Sequence, residues 1–258
     1  MDRDAKEDVH PRDSTVKTKY PTVKTKYPTV NQYTFQLACK NGDVESVKWQ
    51  YYQLETNQIY FNIHADNEYA FRLACRNGHY KIVHWLYSKT PRLSRYINLH
   101  AIDEYAFRWA CTGGYLEVAK LLYQLSKSTG HPIDIHVLND LAFRDACRTG
   151  QLKVVKWLYK LSDGKIKIHT EKECAFRWAC AGGHLNVVKW LYILSCGHID
   201  ILANEEYAIK WACKNGHLKV TALLYNIGIS TDTPYSTNVY SIAKAYGHTH
   251  ILKFLRSR

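Results

Sequence analysis

Seven glycines divide this chain at a nearly constant interval, and that interval restricts its fold more than any other feature. Gly42, Gly78, Gly114, Gly150, Gly183, Gly216 and Gly247 are separated by 36, 36, 36, 33, 33 and 31 residues. One segment recurs around them: FQLACKNGD from Phe35, FRLACRNGH from Phe71, FRWACTGGY from Phe107, FRDACRTGQ from Phe143, FRWACAGGH from Phe176 and IKWACKNGH from Ile209. A degenerate seventh, YSIAKAYGH, starts at Tyr240. Self-similarity at such a period marks a stacked array in which no unit can bury its apolar face alone.

Each unit reads as two helices. Phe71, Ala74, Cys75 and Gly78 fall at i, i+3, i+4 and i+7, one face of a first helix. The glycine ends that helix because it tolerates positive φ. Asn67, Asp103, Asn139 and Asn204 lie just upstream, where a short side-chain acceptor is expected to cap the free amides of the first turn. Val187, Trp190, Leu191 and Leu194 repeat the same stripe in a second helix. A short extended piece then precedes the next first helix, as in Asn62-Ile63-His64 and Asn98-Leu99-His100. The recurring Ala-Cys pair predicts close stacking: axes ~8–10 Å apart need small side chains at the contact, and larger ones overpack at roughly 1–3 kcal/mol each.

These residues resemble the ankyrin repeat. The run A-C-x-x-G-H-L-x-V-V-K-W-L-Y of Ala179 to Tyr192 is similar to that family's small pair, Gly-His turn and second helix, and the match extends from about Asn31 to Leu255. The texture Tyr-Ala-Phe-Arg-Trp-Ala-Cys followed by Lys-Trp-Leu-Tyr is similar to the ankyrin proteins of giant amoeba viruses, which are mimivirus-like. The resemblance implies an all-α solenoid of seven stacked helix–turn–helix repeats with short extended finger loops. The repeats are expected at 31–63, 67–99, 103–135, 139–168, 172–201, 205–235 and 236–258. The family's Thr-Pro-Leu-His is replaced here by sequences such as Tyr69-Ala70-Phe71-Arg72. The fingers are therefore expected to be shorter or differently shaped, with the first helix starting up to a turn earlier.

Ahead of the array, residues 1–30 are read as a disordered basic tail. It carries an exact heptad duplication, Val16 to Thr22 and Val23 to Thr29, rich in Lys, Thr and Pro with few apolar residues. The Met1 to His10 stretch is charged and lacks an apolar core, so it is not read as a secretory signal. No run of residues approaches the ~18–20 apolar positions of a membrane span. The eight cysteines are accordingly expected as reduced thiols in the cytoplasm or nucleus, of a host cell if the protein is viral.

Six of those cysteines occupy one slot per repeat, from Cys39 to Cys213, and are read as core. His64, His100, His136 and His169 precede the first helices, and His79, His184, His217 and His248 follow the glycines. Equivalent histidines in a stack face the same way and do not converge, so hydrogen bonding within the loops is expected rather than metal. Arg72, Arg108, Arg144 and Arg177 each follow an acid by four residues, the favourable intrahelical order, which predicts a neutralised ladder. Outer-helix lysines, including Lys120, Lys153, Lys156 and Lys189, read as a solvated face or as an anion-binding surface. The formal net charge of +12 favours anionic partners in general.

There is no glycine-rich phosphate loop, no Ser/His/Asp arrangement and no converging carboxylate pair, so neither catalysis nor a cofactor is expected. The ankyrin frame implies that the two residues before each glycine face the concave surface, which nominates Arg76, Asn77, Arg148, Thr149 and Lys214. At the finger tips Ile102, Val137 and Leu138 either present apolar groups to a partner or tuck between fingers. Asp145 is the polar exception at a position that is Leu or Trp in other repeats. The expected function is a protein–protein interaction scaffold that binds an unidentified protein on its concave face. The alternative is a nucleic-acid or anion binder that uses the basic convex surface and tail, with no membrane partner in either case.

Overall fold

The computed structural model describes residues 30–56, 60–90, 96–232, 235 and 238–257. The expected tail and its duplicated heptad lie outside them. The described residues form seven helix pairs and contain no strand. The first, inner helices are α1 (Gln32–Asn41), α3 (Ala65–Arg76), α5 (Ala101–Thr112), α7 (Val137–Arg148), α9 (Thr170–Ala181), α11 (Ala203–Lys214) and α13 (Val239–Ala245). The outer helices are α2 (Val44–Glu55), α4 (Tyr80–Lys89), α6 (Leu116–Ser128), α8 (Leu152–Leu161), α10 (Leu185–Leu194), α12 (Leu218–Ser230) and α14 (Thr249–Arg256). No helix among the described residues is long and apolar enough to cross a membrane.

Inner helices pack closely on their neighbours along the stack, whereas successive outer helices touch only sparsely. The side with the tighter spacing is the inside of the curve. Small side chains make that spacing possible: Ala74, Ala110, Ala146 and Ala179 and their following cysteines are all fully buried. The phenylalanines of the repeat, Phe35 to Phe176, and Ile209 in the sixth fill the space between inner and outer layers.

Burial pushes the thiols of Cys39, Cys75, Cys111, Cys147, Cys174 and Cys180 up, and that of Cys213 up to about 11. All eight cysteines are free thiols and Cys196 alone is exposed. Because the thiolate is the nucleophile, a maleimide at neutral pH is expected to label one thiol in the folded protein and all eight in denaturant. Mass spectrometry that finds two or more adducts before unfolding contradicts the packed Ala-Cys slot.

The glycines close the inner helices as expected. Gly78 sits at φ 76° and donates to the Cys75 carbonyl, while the His79 amide donates back to Ala74 O at 2.9 Å. That pair of bonds satisfies the last turn with one left-handed residue. The following residue also stitches repeats together. The His79 Nε2–H donates to Lys40 O of the preceding repeat at 2.8 Å, and His184, His217 and His248 donate likewise to Arg148, Ala181 and Lys214. These rings lie on the preceding repeat's glycine, where a Cβ would intrude.

The start of the inner helix departs from the expected cap. Asn67, Asp103, Asn139 and Asn204 do not cap; the first three are the middle residue of a three-residue left-handed turn, and Asn204 is the first residue of its own. In α7 these residues are Leu138, Asn139 and Asp140, with φ of 53°, 56° and 59°. In α3, α5, α7, α9 and α11 the regular right-handed helix runs only from the end of this turn. A left-handed residue costs about 1–2 kcal/mol outside glycine, so three in a row require compensation. The arginine ladder supplies it. Arg72 donates from Nε to Asn67 O and from a terminal nitrogen to Asp66 O, both at 2.7 Å, and Arg108, Arg144 and Arg177 repeat the clamp.

The acids four residues earlier bind elsewhere. Glu104 accepts from His100 Nδ1–H at 2.8 Å and from the backbone amide of Asp134 in the next repeat. The same three-part link recurs at Glu68, Asp140 and Glu173. The histidines before the helices are thus engaged by buried carboxylates that tie one repeat to the next.

Candidate partner-binding face

Each inner helix has three positions, spaced i, i+4 and i+7, that turn away from the outer layer. They hold Tyr69, Leu73 and Arg76 in α3, Tyr105, Trp109 and Thr112 in α5, and Tyr207, Trp211 and Lys214 in α11. Repeat four carries Leu141, Asp145 and Arg148, and repeat five carries Trp178 and Ala181 at the last two. Trp109, Trp178 and Trp211 are half-buried, so each keeps part of its ring in water while its flank packs on the stack. Tyr105 lies 5.6 Å from Trp109 and Tyr207 lies 5.5 Å from Trp211, centroid to centroid.

Cations lie across these rings. The Arg76 guanidinium sits 4.2 Å from the Trp109 centroid, and Lys214 Nζ sits 4.2 Å from Trp211 and 5.3 Å from Tyr246. Such contacts contribute roughly 0.5–2 kcal/mol each. Neither Arg76 nor Lys214 has a carboxylate within 4.0 Å among the described residues. Arg148, by contrast, is held by Asp145 Oδ1 at 3.0 Å, which accounts for the polar residue in the Leu/Trp series.

The expected contact residues therefore divide. Arg76, Arg148 and Lys214 end their helices on the open face. Asn77 turns back to Leu73 O at 2.8 Å, and Thr149 donates to Thr112 O of the preceding repeat at 2.7 Å. Both of those side chains are engaged in hydrogen bonds within the array. Ile102 and Leu138 are 45% and 49% exposed at the left-handed turns, while Val137 is half-buried. Ile102 and Leu138 are thus surface groups, not packed between fingers. On the outer side Lys120 is joined to Glu117 at 3.0 Å, whereas Lys153, Lys156 and Lys189 are exposed.

The aromatic ladder itself was not singled out by the repeat alignment. Tyr and Trp at i and i+4 read as core at helical spacing, and only their partial exposure distinguishes them. The signal was the substitution pattern: this position is Leu, Trp or Asp in the first six repeats, whereas the neighbouring slot is Ala-Cys in all six.

Residues 35–130 match the sequence model of ankyrin repeats in three copies. Among solved structures the chain is similar to the crystal structure of the human ASB11 ankyrin repeat domain, with a TM-score of 0.53 and 15% identity over 81% of this chain and 90% of that one. No curated protein matches the chain in sequence. The seven helix pairs are thus an ankyrin-type solenoid, with residues 35–130 carrying the family's own sequence pattern.

Proposed function

We propose that the array is a non-catalytic scaffold that holds a partner protein against its inner helices. The observation that supports this is the ladder of half-exposed aromatic rings, joined at the turns by exposed Ile102 and Leu138. Apolar groups left in water on one continuous face, bordered by fixed cations, have the makeup of an interface centre. The resemblance of the repeat texture to giant-virus ankyrin proteins supports the narrower reading of a viral protein that engages a host factor in the cytoplasm or nucleus.

The test is affinity capture with the full chain and with a Trp109→Ala/Trp178→Ala variant. Buried tryptophans at interface centres contribute ~2 kcal/mol or more each, so the double variant is expected to release its partner while keeping its far-ultraviolet spectrum. A folded double variant that retains the partner overturns the reading. The exposed Lys153, Lys156 and Lys189 favour a second reading, in which the outer side and the tail bind nucleic acid. Binding of that kind weakens steeply with salt, so repeating the capture at low and high ionic strength separates the two.

A further inference from the structure

The two edges of the inner face carry opposite charge. At the left-handed turns stand exposed Asp66, Asp103 and Glu205, while in the fifth repeat Glu171 is paired with Arg144 and lies beside exposed Lys172. Roughly 15 Å away, at ~1.5 Å rise per residue, the helices end in Lys40, Arg76, Arg148 and Lys214. A polynucleotide, with phosphates at every step, would meet the acidic edge as well as the basic one. A polypeptide can place its carboxylates on one side only. That asymmetry favours a peptide ligand for a face that otherwise combines rings with cations.

Two cations on the basic edge are poised for carboxylates. The Arg76 guanidinium lies 4.2 Å from the Trp109 centroid with no carboxylate within 4.0 Å among the described residues, and its fork suits a two-pronged contact, while Lys214 has the Trp211 and Tyr246 rings at 4.2 and 5.3 Å. Side chains already immobilised lose little further freedom on binding. Arg76 and Lys214 lie four repeats apart, about 40 Å at ~10 Å per stacked helix. An extended chain rises ~3.3 Å per residue and spans that gap with about twelve residues.

Building on the interaction-scaffold reading above, we propose that the inner face binds an extended acidic peptide segment about twelve residues long. Carboxylates near its two ends pair with Arg76 and Lys214, and apolar side chains between them rest on Trp109 and Trp178. Charge complementarity selects the ends, and the rings select the middle.

The test selects displayed random 16-residue peptides on the immobilised full chain and measures the winners by fluorescence anisotropy. Enriched peptides are expected to carry acidic residues near both ends. Arg76→Glu and Lys214→Glu are each expected to weaken binding about tenfold, the equivalent of one charged hydrogen bond. Changing the matching peptide acid to lysine is expected to restore binding to the reversed variant. Peptides that are neutral and indifferent to both reversals, yet lost in Trp109→Ala/Trp178→Ala, overturn the acidic segment and leave the scaffold face standing. Peptides indifferent to the tryptophan variant as well remove the face itself. A library that yields no binder overturns the proposal, as does a twenty-nucleotide oligo-dT that binds this face more tightly than every selected peptide.

Discussion

Replacing Arg144 with alanine is expected to lower the unfolding free energy of the array by about 3 kcal/mol, the scale of losing two charged hydrogen bonds. Arg144 is buried and donates to Asn139 O at 2.9 Å and Leu138 O at 2.8 Å. Its third contact, Glu171 Oε2 at 2.7 Å, involves a side chain that is 48% exposed, so it adds less than ~1 kcal/mol. Truncation leaves three left-handed residues with their carbonyls aimed at an empty space. Arg144→Lys should recover little, because an ammonium on a flexible stem cannot reproduce the planar fork. Lys210 occupies this position in the sixth repeat, whose turn keeps the same backbone at Asn204, Glu205 and Glu206. The arginine therefore stabilises the turn without dictating it. Urea unfolding followed by circular dichroism measures the loss, and an Arg144→Ala midpoint shifted by under ~1 kcal/mol would falsify the clamp.

Gly150→Ala is expected to cost about 3 kcal/mol as well, as the sum of three smaller effects. At φ 77° an alanine is strained. Its Cβ would lie 2.4 Å from His184 Nδ1, so the ring must leave. The departing ring gives up its 2.9 Å bond to Arg148 O, which joins repeats four and five. Gly130 provides the control: it has φ 81° but a Cβ there meets nothing within 4 Å. Gly130→Ala should cost only the backbone strain, about 1 kcal/mol. Equal losses at the two sites would mean that the ring contributes nothing to the junction.

The array was legible in the sequence because its two main constraints are local and repeated. Gly42 to Gly247 give the helix ends, and the Ala-Cys pair gives the spacing of the inner helices. The helix starts were read less well. Asn67 and Asp103 have the composition of a cap, but cap and left-handed turn draw on the same residue types, since both favour short polar side chains that bond their own backbone. In four repeats an arginine five residues after the middle of the turn reaches back to its carbonyls, a cue that the sixth repeat, with Lys210, keeps the turn without. The i, i+4 acid–base rule pointed elsewhere, because it assumes a right-handed helix over the whole interval, and Glu104 to Arg108 starts inside the turn. At the candidate face Arg76 and Lys214 were identified from their position before the glycine. The stacking of Arg76 on Trp109 and of Lys214 on Tyr246 could not be, because each joins residues in different units.

Two recurring junctions between repeats point the same way along the chain. Rings donate to the unit before, and buried carboxylates accept amides from the unit after. A protein of this kind has two chemically unlike ends. A cap grafted on the leading side must offer acceptors and a glycine hollow, whereas one grafted on the trailing side must bring an imidazole and a free backbone N–H. The seams differ in detail, since Tyr115 and Gln151 lie on the preceding glycine where other repeats carry a histidine, but the order of the two caps cannot be exchanged.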